Sequence, residues 1–348
     1  YAKAILSGKY TIPQSISIST ESETTALISC GNGLGFVGAH TAMEISIDKA
    51  TKSGIGMVAV NNGHHVGMVG YYPMMALKHG MIGIAATNAI SDVYAMGGTP
   101  VMALGILGWP LDKLGPEIAG DVVAGAQAVC RELGIALAGG HSIDAPEPMF
   151  GLAVNGLVDL EHLKLNSQAK PGDLLFLTKP LGVGLLTTAE KRGLLEAGHH
   201  GLARETMLKP NTIGIALSKV KGVNAMTDVT GFGLAGHLTE MCSASGVMAQ
   251  IDFRRLPRLA EAEGYRRQGA VPGGTVRNRD ALGSALPVMD EAHWQWLCDP
   301  QTSGGLLISV DPAWEDDVER IGREHGLTLE PFGTLKAAQG DAKIEVVG

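Results

Sequence analysis

Between Ile84 and Gly98 the chain reads Ile-Ala-Ala-Thr-Asn-Ala-Ile-Ser-Asp-Val-Tyr-Ala-Met-Gly-Gly. This stretch constrains the fold most, because the sequence changes character on either side of it. Ala86, Ala89, Ile90 and Val93 fall near helical spacing and Gly97-Gly98 supplies a stop, so a short helix is expected. Asp92 puts a carboxylate among apolar neighbours, which is costly unless the charge is satisfied. Two readings stay open from the local pattern: a capping or salt-bridged acid, or a ligand for a hard cation. The second gains weight only if another carboxylate recurs in a similar glycine-flanked setting.

At 348 residues the chain has room for two or three domains, and 45% hydrophobic residues exclude a disordered chain. The 48 glycines point to many tight turns and to places where backbone approaches a ligand closely. A net charge of -8 without a Lys/Arg cluster argues against nucleic acid and against an anionic membrane surface as partners. Cys30, Cys130, Cys242 and Cys298 form no Cys-x-x-Cys pair, so neither a zinc site nor a disulfide framework is signalled. No apolar run reaches the roughly 20 residues that span a bilayer, and no basic-then-apolar leader is visible, so a cytoplasmic location is expected.

In the first 84 residues a polar loop over Ser19–Thr25 is expected to lead into a short strand at Ala26-Leu27-Ile28, followed by an amphipathic helix over Thr41–Lys52. Met57-Val58-Ala59-Val60 reads as a buried strand that delivers Asn61-Asn62-Gly63-His64-His65 to its end. Gly31-Asn-Gly-Leu-Gly35, Gly54-Ile-Gly-Met-Val-Ala-Val60, His65-x-Gly67-x-x-Gly70-Tyr-Tyr72 and Gly80-Met-Ile-Gly-Ile-Ala85 resemble the malate/L-lactate dehydrogenase family that is unrelated to Rossmann-type dehydrogenases. That resemblance implies an NAD(P)-dependent oxidoreductase in which His65 exchanges the proton of a substrate hydroxyl. The family's Ser-His-Gly-x-x-Arg segment and most of its cofactor domain have no counterpart here.

Beyond the seam, Pro116–Leu133 is expected to form a helix with Ile118, Val122, Val123, Ala126 and Cys130 on one face. Ile135–Ala138 reads as a strand running into a Gly139-Gly140-His141-Ser142 turn, whose bare backbone would suit an anion. A strand over Gly151–Val158 and a polar run to Lys170 follow, and Leu174–Thr178 opens a second unit through Lys179-Pro-Leu-Gly-x-Gly184 into a helix. The second acid then appears. Asp228 ends the apolar run Ala225-Met-Thr, and Gly231 and Gly233 turn the chain into a helix with Leu234, Leu238 and Met241 on its apolar face. Strand, acid, glycines and helix place a carboxylate beside exposed amides, which suits a Mg²⁺-bound phosphate; a helix N-cap is the competing reading. Val271–Asn278 and Cys298–Leu307 read as polar glycine turns against apolar strands.

Together, Asn88-Ala-Ile-Ser-Asp92-x-x-Ala-Met-Gly-Gly98, Ala138-Gly-Gly-His-Ser-Ile-Asp-Ala-Pro-Glu147, Leu177-Thr-Lys-Pro-Leu181, Met226-Thr-Asp-Val-Thr-Gly-Phe-Gly233 and Asp299-Pro-Gln-Thr-Ser-Gly-Gly305 resemble selenophosphate synthetase (selenide, water dikinase) over residues 84–348. The resemblance implies an α+β, two-domain, AIR synthase-related architecture, with the N-terminal half of the first domain replaced by an α/β dehydrogenase-like fragment. It divides the chain into a fragment at 1–84, a partial ATP-binding domain at 85–165 and an AIR synthase C-terminal-like domain at 166–348. It implies ATP and Mg²⁺ as cofactors, with Asp92 and Asp228 holding the metal and Asn88, Gly140, His141 and Ser142 joining them at the nucleotide. The implied reaction converts ATP, selenide and water to selenophosphate, AMP and phosphate, and the family is often a homodimer.

The family also carries a Cys/Lys loop and two further metal aspartates that residues 1–84 do not match. Cys30 does not replace the loop cysteine, because residue 33 is Gly rather than Lys; it reads as a strand-end thiol. Losing ligands and nucleophile together is expected to remove most of the rate, since groups that act as a unit fail together. A catalytically silent chimera is therefore a third reading beside the dikinase and the oxidoreductase.

Overall fold

Alternation along Leu174–Leu177 decides how the C-terminal residues fold. In this strand Leu175 and Leu177 enter one apolar cluster while Phe176 enters another, so the sheet that holds it must be covered on both faces. The computed structural model describes residues 14–22, 25–33, 35–53, 57–63, 83–85 and 89–348. The chain divides into two compact units, Ile90–Pro100 with Val158–Gly348, and Tyr1–Ala89 with Val101–Leu157.

In the first of these units the strands are β8 (Leu174–Leu177), β9 (Val223–Asp228), β10 (Val247–Asp252), β11 (Leu306–Val310), β12 (Gly333–Ala337) and β13 (Ile344–Val347), in the order β13-β10-β12-β8-β11-β9. Pairing is antiparallel except between β10 and β13. One face is covered by the helices Val183–Lys191 and Gly233–Ser245, whose Leu185, Leu186, Leu234, Leu238 and Met241 are buried there. The other face is covered by Ile213–Ser218 and Glu315–Glu324, through Ile213, Leu217, Val318 and Ile321. The expected helix after Asp228 and its apolar face are both present. Val271–Asn278, read as a turn, instead lies largely in a helix, Gly273–Leu282, that starts directly after Pro272; proline there fixes φ without losing a needed donor.

In the other unit, β1 (Ser17–Glu21), β2 (Thr25–Gly33) and β3 (Met57–Gly63) form a sheet in that order, with β1 antiparallel and β3 parallel to β2. The polar segment expected to be a loop is thus partly an edge strand, exposed along its length. The helix Gly35–Ser53 begins before Thr41, the first residue expected in it. Its Lys49 is buried and donates to Glu21 Oε1 at 2.8 Å and to the Ser22 carbonyl at 2.6 Å. Cys30 is fully buried within β2, as a structural thiol.

A second sheet of that unit runs β4-β7-β5-β6, from β4 (Gly83–Ala85), β5 (Thr99–Trp109), β6 (Ala136–Asp144) and β7 (Met149–Leu157). The helix Pro116–Glu132 forms as expected, but only Cys130 of its anticipated apolar face is buried, and Ile118 and Val123 face solvent. Gly139–Ser142, expected as a turn, continues β6: Gly140 to Asp144 pair in parallel with Gly105 to Trp109 after a register shift. Gly139 absorbs that irregularity at φ +140°, which an L side chain rarely adopts. Among the described residues no helix is long and apolar enough to cross a membrane.

Candidate active site

Asp228 is the last residue of β9, on the edge of the six-stranded sheet, paired with Leu306 of β11. Only 4% of it is exposed, and its Oδ2 has no hydrogen-bond partner among the described residues. It does not cap the following helix, whose N-cap residue is Phe232. The fold brings Asp92 to it. Burial, followed by the Asp228 charge and a side-chain hydrogen bond to Asp228, raises the Asp92 pKa. Two carboxyls meet in this way only if one keeps a proton or a cation joins them.

Asp92 lies in the first turn of the helix Ala89–Ala95, and that helix is pinned by its neighbours. Asn211 Nδ2 donates to Ser91 Oγ at 2.9 Å and to the Gly304 carbonyl at 2.8 Å. Gly214 allows the helix Ile213–Ser218 to approach, since a Cβ there would collide with the Tyr94 carbonyl. Gly97, at φ +78°, ends the turn after the Asp92 helix.

The turn after Asp228 is laced to the loop 299–305. Val229 N donates to the Gly305 carbonyl at 2.9 Å and Gln301 N to the Thr230 carbonyl at 3.0 Å. Within the turn, Thr230 N donates to His237 Nε2 at 3.0 Å, so Nε2 is the unprotonated ring nitrogen. Burial lowers the His237 pKa, against the opposing pull of Asp228 and Glu240.

Inside the loop, Asp299 is fully buried, and its Oδ2 accepts from Gln301 Nε2 at 2.7 Å and from Gly184 N at 3.1 Å. Burial pushes its pKa up to about 7, and Oδ1 has no partner among the described residues. Ser303 is the one described non-glycine residue with positive φ, at 50°, and its carbonyl accepts from Lys179 Nζ at 2.7 Å. Such a backbone persists only where its surroundings hold it. Lys179 is 6% exposed. Burial draws its pKa down to about 8, against the pull of Asp228 and with a further push from Lys209.

Of the residues singled out in the sequence, the fold joins Asp92 and Asp228. Gly140, His141 and Ser142 sit on the exposed strand β6. Asn88 and His65 lie outside the described residues. Among the described residues no group of three or more His, Cys, Asp or Glu side chains gathers as a metal cage. Sequence reading missed Lys179, Ser91, Asn211 and the Asp299–Gln301 clamp. Lys179 did carry a signal: it is a charged residue placed two positions after the apolar strand Leu174–Leu177, at a strand end.

Known proteins resemble this chain in sequence and in fold. The C-terminal domain of the AIR synthase related proteins matches residues 170–344. The selenide, water dikinase of Photorhabdus laumondii is 58% identical over 264 residues, covering 76% of each chain. The chain belongs to the selenide, water dikinase family. It is thus an enzyme of the phosphotransferase class, with a mixed α+β fold and an AIR synthase-related C-terminal domain. Two solved structures share the fold. Thiamine-monophosphate kinase from Stenotrophomonas maltophilia has a TM-score of 0.57 at 19% identity, covering 75% of this chain and 76% of that one. Hydrogenase maturation protein HypE in complex with ATP has a TM-score of 0.56 at 17% identity, covering 74% and 73%. The malate/L-lactate dehydrogenase family matches residues 1–105, so the dikinase family member carries a second likeness at its N-terminal end.

Proposed function

We propose that this chain binds Mg²⁺·ATP at Asp92 and Asp228 and directs phosphoryl transfer from ATP, converting ATP, selenide and water to selenophosphate, AMP and phosphate. The observation that carries the reading is the facing carboxyl pair with a buried, donorless Asp228 Oδ2. Two carboxylates with an orphaned oxygen fit a hard divalent cation, which takes oxygen ligands. Asp92 and Asp228 would hold a Mg²⁺ there, which would supply neutralisation of charge during phosphoryl transfer. The protein's own part is placement. β9 presents Asp228, Asn211 and Ser91 fix the helix that carries Asp92, and the loop 299–305 fixes the turn behind both. Asn88, Gly140, His141 and Ser142 are proposed as further nucleotide contacts.

Selenide-dependent AMP formation tests this reading directly. Residues 1–84 match neither the family's Cys/Lys loop nor two of its aspartates, so turnover is expected to fall far below that of a full set. We read the chain as chimeric, with the join near Ile84, because the dehydrogenase likeness covers residues 1–105 and the AIR synthase likeness covers 170–344. The division into 1–84, 85–165 and 166–348 belongs to that proposal. The N-terminal likeness favours a second reading, an NAD(P)-dependent oxidoreductase using His65, tested by NADH oxidation with 2-keto acids. A chain silent in both assays is the scaffold reading. Homodimerisation is proposed as well, supported by Ile106, Ile118, Val123, Ile143 and Met149, all exposed in one compact unit of the single chain.

A further inference from the structure

Lys179 is a buried ammonium with more donors than acceptors. Among the described residues its Nζ makes one hydrogen bond, to the Ser303 carbonyl at 2.7 Å, although an ammonium carries three N–H groups. Thr178, the residue before Lys179, exchanges hydrogen bonds with Leu306, and Leu306 pairs with Asp228 on its other side, so Lys179 and Asp228 meet at one strand end, yet no ion pair closes between them among the described residues. Asp228 in turn keeps an unpaired buried oxygen. A buried cation and a buried anion thus stand near one another, each with unused capacity, and both are costly unless something satisfies them.

One kind of ligand meets both demands. A phosphate accompanied by a divalent cation would bring positive charge for Asp228 and negative charge for Lys179. Lys209 adds a second positive charge close enough to push down the Lys179 pKa, and it is exposed, with no ion pair among the described residues. The strained Ser303 backbone and Gly305 hold Lys179 in place, since a Cβ on Gly305 would run into the Lys179 backbone.

We propose that Lys179 binds an oxygen of the nucleotide polyphosphate chain directly, with Lys209 as an exposed cation that draws the anion in. This rests on the reading of Asp92 and Asp228 as the Mg²⁺·ATP site and names the group that holds the phosphates there. The test is calorimetry on the full chain with Mg²⁺·ATP and, separately, AMP, comparing the wild type with Lys179→Met, Lys179→Arg and Lys209→Ala. A charge-assisted hydrogen bond is worth about 10- to 100-fold in affinity. Lys179→Met should therefore lose about that factor for ATP while AMP binding changes by less than about 3-fold, and Lys179→Arg should recover most of the loss. Lys209→Ala, at an exposed position, should weaken ATP binding about 2- to 5-fold and flatten its salt dependence. Wild-type ATP affinity in Lys179→Met overturns the inference and leaves the proposed function standing. Equal losses for ATP and AMP also overturn it, because they mark a purely structural lysine. No binding of Mg²⁺·ATP by the wild type overturns the proposed function and this inference with it.

Discussion

A carboxyl sealed from water keeps its proton longer, and Asp299 is such a group. Its folded pKa of about 7 lies above the ~4 of an unfolded chain. Below about pH 4 both states hold the proton and the site costs nothing. As pH rises toward about 7 the unfolded state ionises first, so the fold loses stability across that window, by up to ~4 kcal/mol once both are charged. Asp299→Asn keeps an acceptor and removes the titration. In urea unfolding, its stability relative to the wild type should rise between pH 5 and pH 8; parallel profiles would show that Asp299 does not titrate in this window. The two acids Asp92 and Asp228 were legible in the sequence because each is a charge in an apolar, glycine-flanked run. Asn211 and Ser91 were not singled out, because their partners lie 93 and 120 residues away, and nothing local marks a hydrogen bond of that span.

Elements that satisfy themselves locally were the easiest to read. The strand, acid, glycine and helix order around Asp228 is encoded within about a dozen residues, and Leu234, Leu238 and Met241 are buried as their spacing requires. Leu238→Ala should cost about 2–5 kcal/mol, the usual loss for a filled core position, read from thermal or urea unfolding. Gly184 is fixed by a contact that only the fold creates: a Cβ there would lie 2.5 Å from Asp299 Oδ1 and 2.6 Å from the Pro300 carbonyl. Gly184→Ala should therefore destabilise the chain by more than ~2 kcal/mol, despite better helix propensity; a stability equal to wild type would mean the loop gives way freely. Gly139–Ser142 misled for the opposite reason. Two glycines signal a turn locally, but parallel pairing with Gly105–Trp109 extends them into a strand, and pairing partners are not visible in the segment itself.

At the scale of the whole molecule, the helix Pro116–Glu132 shows what a single chain leaves unfinished. The helix forms where its spacing predicts, yet Ile118 and Val123 on its expected apolar face are exposed, because periodicity tells which face is apolar and not whether anything covers it. If a second copy covers it, light scattering on the purified chain should return twice the 36.2 kDa monomer mass, and Ile118→Lys with Val123→Glu should return the monomer. A wild type that elutes at monomer mass at all accessible concentrations would contradict the homodimer. The central claim, that Asp92 and Asp228 together form a Mg²⁺·ATP site, is tested most directly by calorimetry on the intact chain and on the Asp92→Asn, Asp228→Asn double variant. Mg²⁺-dependent ATP binding by the intact chain, lost in a folded double variant, is the predicted result. Equal binding by both, or none by the intact chain, would contradict it.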